Sequence, residues 1–254
     1  MSLHVESLGS GEPLLLIHGW GMHRGMWGQV TEQLAQTHRV HLLDLPGYGQ
    51  SASCAPYELD TLVQQLSSRF QEPLNVAGWS LGGQLALRWA QLYPAQFKKL
   101  ILVATTPCFV QQEGWACAMN GDTLQEFAGS LLQNHALTLK KFLALQLRGS
   151  ENERELLPDL RARLFAHGEP DMAALRGGLN ILRDTDLRAG LANITQPTLL
   201  IAGERDTLTP SAASEYMAQT LPNVQLQIIK GAAHAPFLSH PKVFMQHLTS
   251  FLNE

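Results

Sequence analysis

Apolar and polar positions follow two rhythms along the 254 residues. Short apolar runs recur at Leu3 to Ser7, Leu14 to Ile17, Val40 to Leu43, Leu74 to Ala77, Leu100 to Val103, Thr198 to Ala202 and Gln225 to Ile229, and each reads as a strand. Between them lie stretches with helical spacing, such as Leu81 to Tyr93 and Ser211 to Leu221. The alternation runs to about Val103, loses its strands until about Asn193, and then resumes. A core of residues 1–104 and 194–254 is therefore expected, interrupted by an insertion over 105–193. Right-handed crossovers between parallel strands give an α/β fold with a doubly wound, mostly parallel sheet. Within the insertion, Leu124 to Leu132, Leu137 to Leu147, Asp159 to Phe165 and Met172 to Leu182 read as short amphipathic helices, a helical lid by position. No repeat or low-complexity linker separates it, so the lid should pack on the core.

The chemistry starts at Gly78-Trp79-Ser80-Leu81-Gly82, which follows one strand and opens the next helix. A serine on such a strand-to-helix turn is a nucleophile elbow: flanking glycines admit a tight backbone, and the strain holds the Ser80 hydroxyl out toward substrate. A serine hydroxyl needs a base, and the base needs an acid to orient it. Asp206 leaves the strand Thr198 to Ala202 in the loop Gly203-Glu204-Arg205-Asp206, with Glu204 as the competing acid. His234 follows the last strand in Gly231-Ala232-Ala233-His234 and is the candidate base. The chain order Ser, Asp, His is that of the α/β-hydrolase triad. His240, before Pro241, and His247, inside the last helix, read as cap-region and surface residues.

Acyl transfer also needs donors for an oxyanion. His18-Gly19-Trp20-Gly21 follows the strand Leu14 to Ile17, and the backbone N–H groups of Trp20 and Leu81 are the candidate oxyanion hole. His18 reads as a loop-holding residue, and Trp20 as a wall of the acyl pocket or a core aromatic.

A composition of 45% hydrophobic and 16% charged residues suits one compact enzyme. The net charge of -4 argues against general nucleic-acid binding, no run is long enough to span a membrane, and the N-terminus lacks a signal-like pattern. A cytoplasmic monomer is the expectation. Cys54, Cys108 and Cys117 are odd in number and lack zinc-like or disulfide-like spacing, which fits reduced thiols. No histidine or cysteine spacing suggests a metal site, and the triad chemistry requires no cofactor. On the lid, Lys140, Lys141 and Arg148 lie in a stretch free of acids, and Arg154 follows among glutamates. They form either a basic patch or an ordinary solvated face. Phe142 and Leu145 share one side of their helix, as lid core or channel wall.

By these motifs the chain resembles the α/β-hydrolase family over essentially its whole length. The resemblance rests on His18-Gly19-Trp20-Gly21, Asp44-Leu45-Pro46-Gly47-Tyr48-Gly49, Gly78 to Gly83, Thr106-Pro107-Cys108-Phe109, Phe142 to Gln146, Gly177-Gly178-Leu179 and His234-Ala235-Pro236-Phe237. The lid segments are similar to the branch of carboxylesterases that serve biotin synthesis. That likeness implies hydrolysis of the methyl ester of a pimeloyl chain on acyl-carrier protein, releasing methanol. It implies substrate contacts at Trp20, Leu81, Phe142, Leu143, Ala144, Leu145, Gln146 and His234; independently of it, Lys140, Lys141, Arg148 and Arg154 are the candidate carrier contacts if they form a basic patch. Arginines grip the carrier in that branch, and Leu137 and Pro158 stand at places where this chain departs from the pattern. A broad small-molecule carboxylesterase, a thioesterase or a carbon-carbon bond hydrolase would use the same triad, and a ligand receptor with a hydrolase pocket would bind without turnover.

Overall fold

A computed structural model describes residues 3–254. Seven strands form one sheet: β1 (Val5–Leu8), β2 (Glu12–Ile17), β3 (His38–Leu43), β4 (Leu74–Trp79), β5 (Phe97–Val103), β6 (Thr198–Gly203) and β7 (Val224–Ile229). They pair in the order β1-β3-β2-β4-β5-β6-β7. Only β1 runs antiparallel to its neighbour; every other pair is parallel. The inner strands β4 and β6 are buried at every position, which explains why they read as continuous apolar runs: a parallel sheet is covered on both faces.

The covering helices are α1 (Gln29–Leu34), α2 (Leu59–Arg69), α3 (Leu81–Leu92), α4 (Gly121–Gln133), α5 (His135–Leu145), α6 (Glu153–Arg163), α7 (Met172–Asp184), α8 (Ser211–Thr220), α9 (Pro236–Ser239) and α10 (Pro241–Leu252). Four of them, α4 to α7, lie between β5 and β6 in the chain, where the sequence places its lid. Three of them start before their periodicity, and α7 starts at Met172 as the pattern predicts. Asn120, Asn134 and Asp171 each accept backbone N–H groups of the following turn, and these caps open α4, α5 and α7 before or at the first apolar contact. The third lid helix begins at Glu153 rather than Asp159 and runs through Pro158, a residue that reads as a boundary but is accommodated inside α6.

The topology dictates where a ligand can sit. From β2 the chain goes outward to β3 and then returns to β4 on the other side of β2, so the loops after β2 and β4 diverge from adjacent strands. Ile17 and Gly78 are partners in that pair, which places His18 and Trp79 side by side at the crevice.

Helix α7 closes over this crevice because it carries two adjacent glycines. A Cβ on Gly177 would stand 2.6 Å from Tyr57 Cβ, and one on Gly178 would stand 2.6 Å from Trp20 Cδ1. With those positions bare, the buried Trp20 indole reaches the helix and its Nε1–H donates to the Leu175 carbonyl at 2.8 Å. Gly178→Ala should therefore destabilise by about 1–3 kcal/mol despite its better helix propensity. Gly129→Ala, on α4 with no atom within 4 Å of the new methyl, should stabilise by about 0.5–1 kcal/mol. Urea unfolding midpoints check both, and equal signs would discredit the packing argument.

Candidate active site

Ser80 stands where β4 turns into α3, with φ 55° and ψ -117°, a backbone state that an L-residue enters only under constraint. The constraint is visible. Its N–H donates to Val103 O at 3.0 Å, and its carbonyl accepts from Thr105 Oγ1 at 2.6 Å. A Cβ on Gly78 would stand 2.4 Å from Gly82 O, and one on Gly82 would stand 2.5 Å from Ile17 O. Those glycines let strand, turn and helix interpenetrate, and the serine is left facing the crevice.

Asp206 and His234 come from loops zipped together at the next sheet edge. Arg205 N donates to Ala232 O at 2.8 Å and Glu204 N to Ile229 O at 3.1 Å. His234 Nδ1 and Asp206 Oδ2 are 2.7 Å apart, with the two side chains 1% and 0% exposed. Asp206 Oδ1 accepts from the backbone N–H groups of Leu208 and Thr209, and Oδ2 accepts also from Thr209 Oγ1 at 2.8 Å. The acid is therefore held on both oxygens. Glu204 is exposed and turned the other way, accepting from Gly231 N at 2.9 Å. With Nδ1 on the carboxylate, Nε2 is the ring nitrogen left without a partner among the described residues. The Trp79 indole donates to His234 O at 2.9 Å, fastening the histidine loop to the residue before Ser80. The Ser80 hydroxyl makes no hydrogen bond to another described side chain; in resting enzymes this contact is commonly long and tightens with substrate.

The backbone N–H groups of Trp20 and Leu81 donate to no acceptor among the described residues, which leaves both free for an oxyanion. His18 holds that loop. It is fully buried; Nδ1 pairs with Gly19 O at 2.8 Å and Nε2 accepts from Leu45 N at 3.0 Å. Burial pushes its pKa down to about 4, against the raising effects of Gly19 O and Asp44. Asp44 in turn accepts from Arg24 N, Arg24 Nη1 and Gln50 N, and these donors outweigh its own burial and keep the carboxyl below its usual range.

Beside Trp20 lies a cavity of about 70 Å³ lined by Phe127, Phe142, Leu145, Leu179 and Leu208, with Thr123 its one polar residue. Phe127 and Phe142 meet the Trp20 ring edge-on at 5.4 and 5.0 Å. Phe142 and Leu145 thus stand on the cavity wall. Leu143 is wholly buried in the lid and Ala144 is half-buried, and neither lines the cavity. Gln146 is buried and structural: its carbonyl accepts from Ala235 N at 3.1 Å, next to His234. Arg205 Nη1 on Gly149 O at 2.8 Å and Asn152 Nδ2 on Ser239 O at 2.7 Å complete this seam between lid and triad loops. Lys140, Lys141, Arg148 and Arg154 are exposed and make no ion pair among the described residues, and Lys140 lies 6.0 Å from the Phe165 ring centre. The sequence reading missed Thr209 and Arg205; a hydroxyl three residues after an aspartate, the spacing of a local side-chain turn, was the available signal for the first.

Residues 12–241 match the family model of the alpha/beta hydrolase fold. The chain is 43% identical over 244 residues to a pimeloyl-[acyl-carrier protein] methyl ester esterase of Nitrosomonas europaea, covering 96% of this chain and 97% of the relative. It is 41% identical over 252 residues to the protein of the same name from Chromobacterium violaceum, covering 99% and 98%. Among solved structures it is similar to an esterase from Exiguobacterium antarcticum, with a TM-score of 0.92 at 26% identity, covering 99% of this chain and 96% of the other.

Two outcomes follow from the geometry. Unfolded chain takes up the His18 proton near pH 6.5 and folded protein only near pH 4, so this contribution is complete above 6.5 and is lost as pH falls toward 4. Between pH 7 and pH 4.5 it amounts to roughly 2–3 kcal/mol, and His18→Asn should flatten the pH dependence of urea unfolding by that much. Second, Asp206→Asn should lower ester turnover by several decades and Glu204→Gln by less than about threefold. The reverse order in steady-state kinetics would move the acid to Glu204.

Proposed function

The chain belongs to the alpha/beta hydrolase fold family, and we propose that it is a serine carboxylesterase that hydrolyses the methyl ester of pimeloyl-[acyl-carrier protein] in biotin synthesis. The observation that carries this reading is the buried Asp206–His234 pair beside the strained Ser80 elbow. The names of the near full-length relatives supply the substrate.

In this reading His234 Nε2 takes the Ser80 proton as the hydroxyl attacks the ester carbonyl, while Asp206 stabilises the imidazolium. The oxyanion is received by the N–H groups of Leu81 and Trp20. His234 then protonates the departing methoxide, and water activated by the same ring hydrolyses the acyl-enzyme. The acyl chain lies along Trp20, Phe142 and Leu145. The cavity there holds little more than two waters at about 30 Å³ each, so the aromatic contacts between lid and Trp20 must part to admit a chain.

The unpaired cations Lys140, Lys141, Arg148 and Arg154 suit an acidic carrier docked on the lid. Attraction of that kind is screened by salt, because the Debye length shrinks from about 10 Å at 0.1 M to about 3 Å at 1 M. Turnover of carrier-linked methyl ester should accordingly fall several-fold over that range, with a small neutral ester nearly unaffected. Lys141→Glu and Arg154→Glu should raise KM for the carrier substrate alone. Equal losses on both substrates would mean damage to the lid, and no separation at all would favour a free small ester. A panel of pimeloyl-carrier methyl esters and thioesters tests the bond: cleavage of the thioester alone would refute the esterase reading while leaving the triad in place. Ser80→Ala should abolish fluorophosphonate labelling in the same preparation.

A further inference from the structure

Asp206 Oδ2 receives two side-chain donors where a triad needs one. His234 Nδ1–H lies 2.7 Å away and Thr209 Oγ1 2.8 Å away, while Thr209 Oγ1 and His234 Nδ1 are 3.3 Å apart. Thr209 is 2% exposed. Nδ1 carries its own proton toward the carboxylate and has no lone pair to offer, so the threonine proton has one acceptor in reach, Oδ2. We propose that Thr209 is a positioning residue that sets the basicity of His234 by sharing Asp206 Oδ2 with it. This rests on the reading of Asp206 and His234 as acid and base.

A hydroxyl donating to a carboxylate oxygen draws negative charge from it, and less is left to stabilise the imidazolium that forms when Ser80 is deprotonated. Loss of the hydroxyl should therefore strengthen the base. The same hydroxyl stops the carboxylate from turning away, since Oδ1 is already held by the N–H groups of Leu208 and Thr209. Other charged groups around the ring are more remote in role. Glu204 and Arg205 are exposed and engaged with Gly231 N and Gly149 O; Glu151 of the lid and His240 before α10 flank Gly231; Lys230 is exposed at the end of β7. None of these hydrogen bonds to the imidazole among the described residues, and from β4 the Trp79 ring lies 6.0 Å from it, centre to centre.

Thr209→Val tests the idea cleanly, because valine keeps the shape and the backbone donor and removes only the hydroxyl. The acid limb of kcat/KM against pH, measured on a small neutral ester, should move up by about 0.5–1 unit with KM unchanged. The His234 Nδ1–H proton resonance should move downfield, as the remaining bond to Asp206 strengthens. Thr209→Ser should restore both. An acid limb that stays in place while activity falls uniformly, or a serine variant that behaves like valine, would overturn the proposal. Titration of His234 followed by NMR needs no substrate and should show the same upward shift. A shift seen there in a protein without ester turnover would sink the proposed reaction and leave the role of Thr209 standing.

Discussion

The backbone at Ser80 is the constraint on which the rest of the molecule depends. A non-glycine residue at φ 55° and ψ -117° costs on the order of 1–3 kcal/mol, and it persists only because its surroundings over-determine it. Val103 O, Thr105 Oγ1, the interlocked glycines and the Trp79 indole each fix one side of the turn. Those same contacts define the sheet order around it. β5 supplies the carbonyl, β2 leads into the His18–Gly21 loop that packs on Ser80, and the His234 loop is fastened through Trp79. Removing the strain would mean moving β2, β5 and the His234 loop together, so the fold and the backbone state of Ser80 are one structural decision.

Much of this was legible in the sequence because it is local. An apolar run, Gly-x-Ser-x-Gly and a helical pattern follow one another within twenty residues, and all seven strands lie where their apolar runs are. The acid was harder, since Glu204 and Asp206 share a loop; what separates them is that Asp206 turns back on its own backbone N–H groups while Glu204 reaches Gly231. Contacts between distant positions left no local trace. Nothing in the string says that Trp20 will bond to Leu175, that Arg205 will reach Gly149, or that Gly178 is bare for the sake of an indole. The start of α6 was hidden by Pro158, a residue whose usual meaning is a boundary.

The lid is joined to the core on two levels. At the seam, backbone and polar bonds tie residues 146–152 to the loops of Asp206 and His234. Over the crevice the contact is of another kind, aromatic edges against Trp20 around a cavity with hardly a polar group. The first resists displacement and keeps the loops of Asp206 and His234 in register with the lid. The second holds by dispersion and apolar burial, and a side chain can swing without leaving a hydrogen bond unmade.

That apolar cavity has a thermodynamic consequence. A space of about 70 Å³ walled by Trp20, Phe127, Phe142 and leucines offers water almost nothing to bind, so an apolar group entering it releases little ordered solvent. The affinity of such a group is the dispersion contact it gains less the aromatic contacts parted to admit it, and the signature common to both is the negative heat-capacity change of apolar burial.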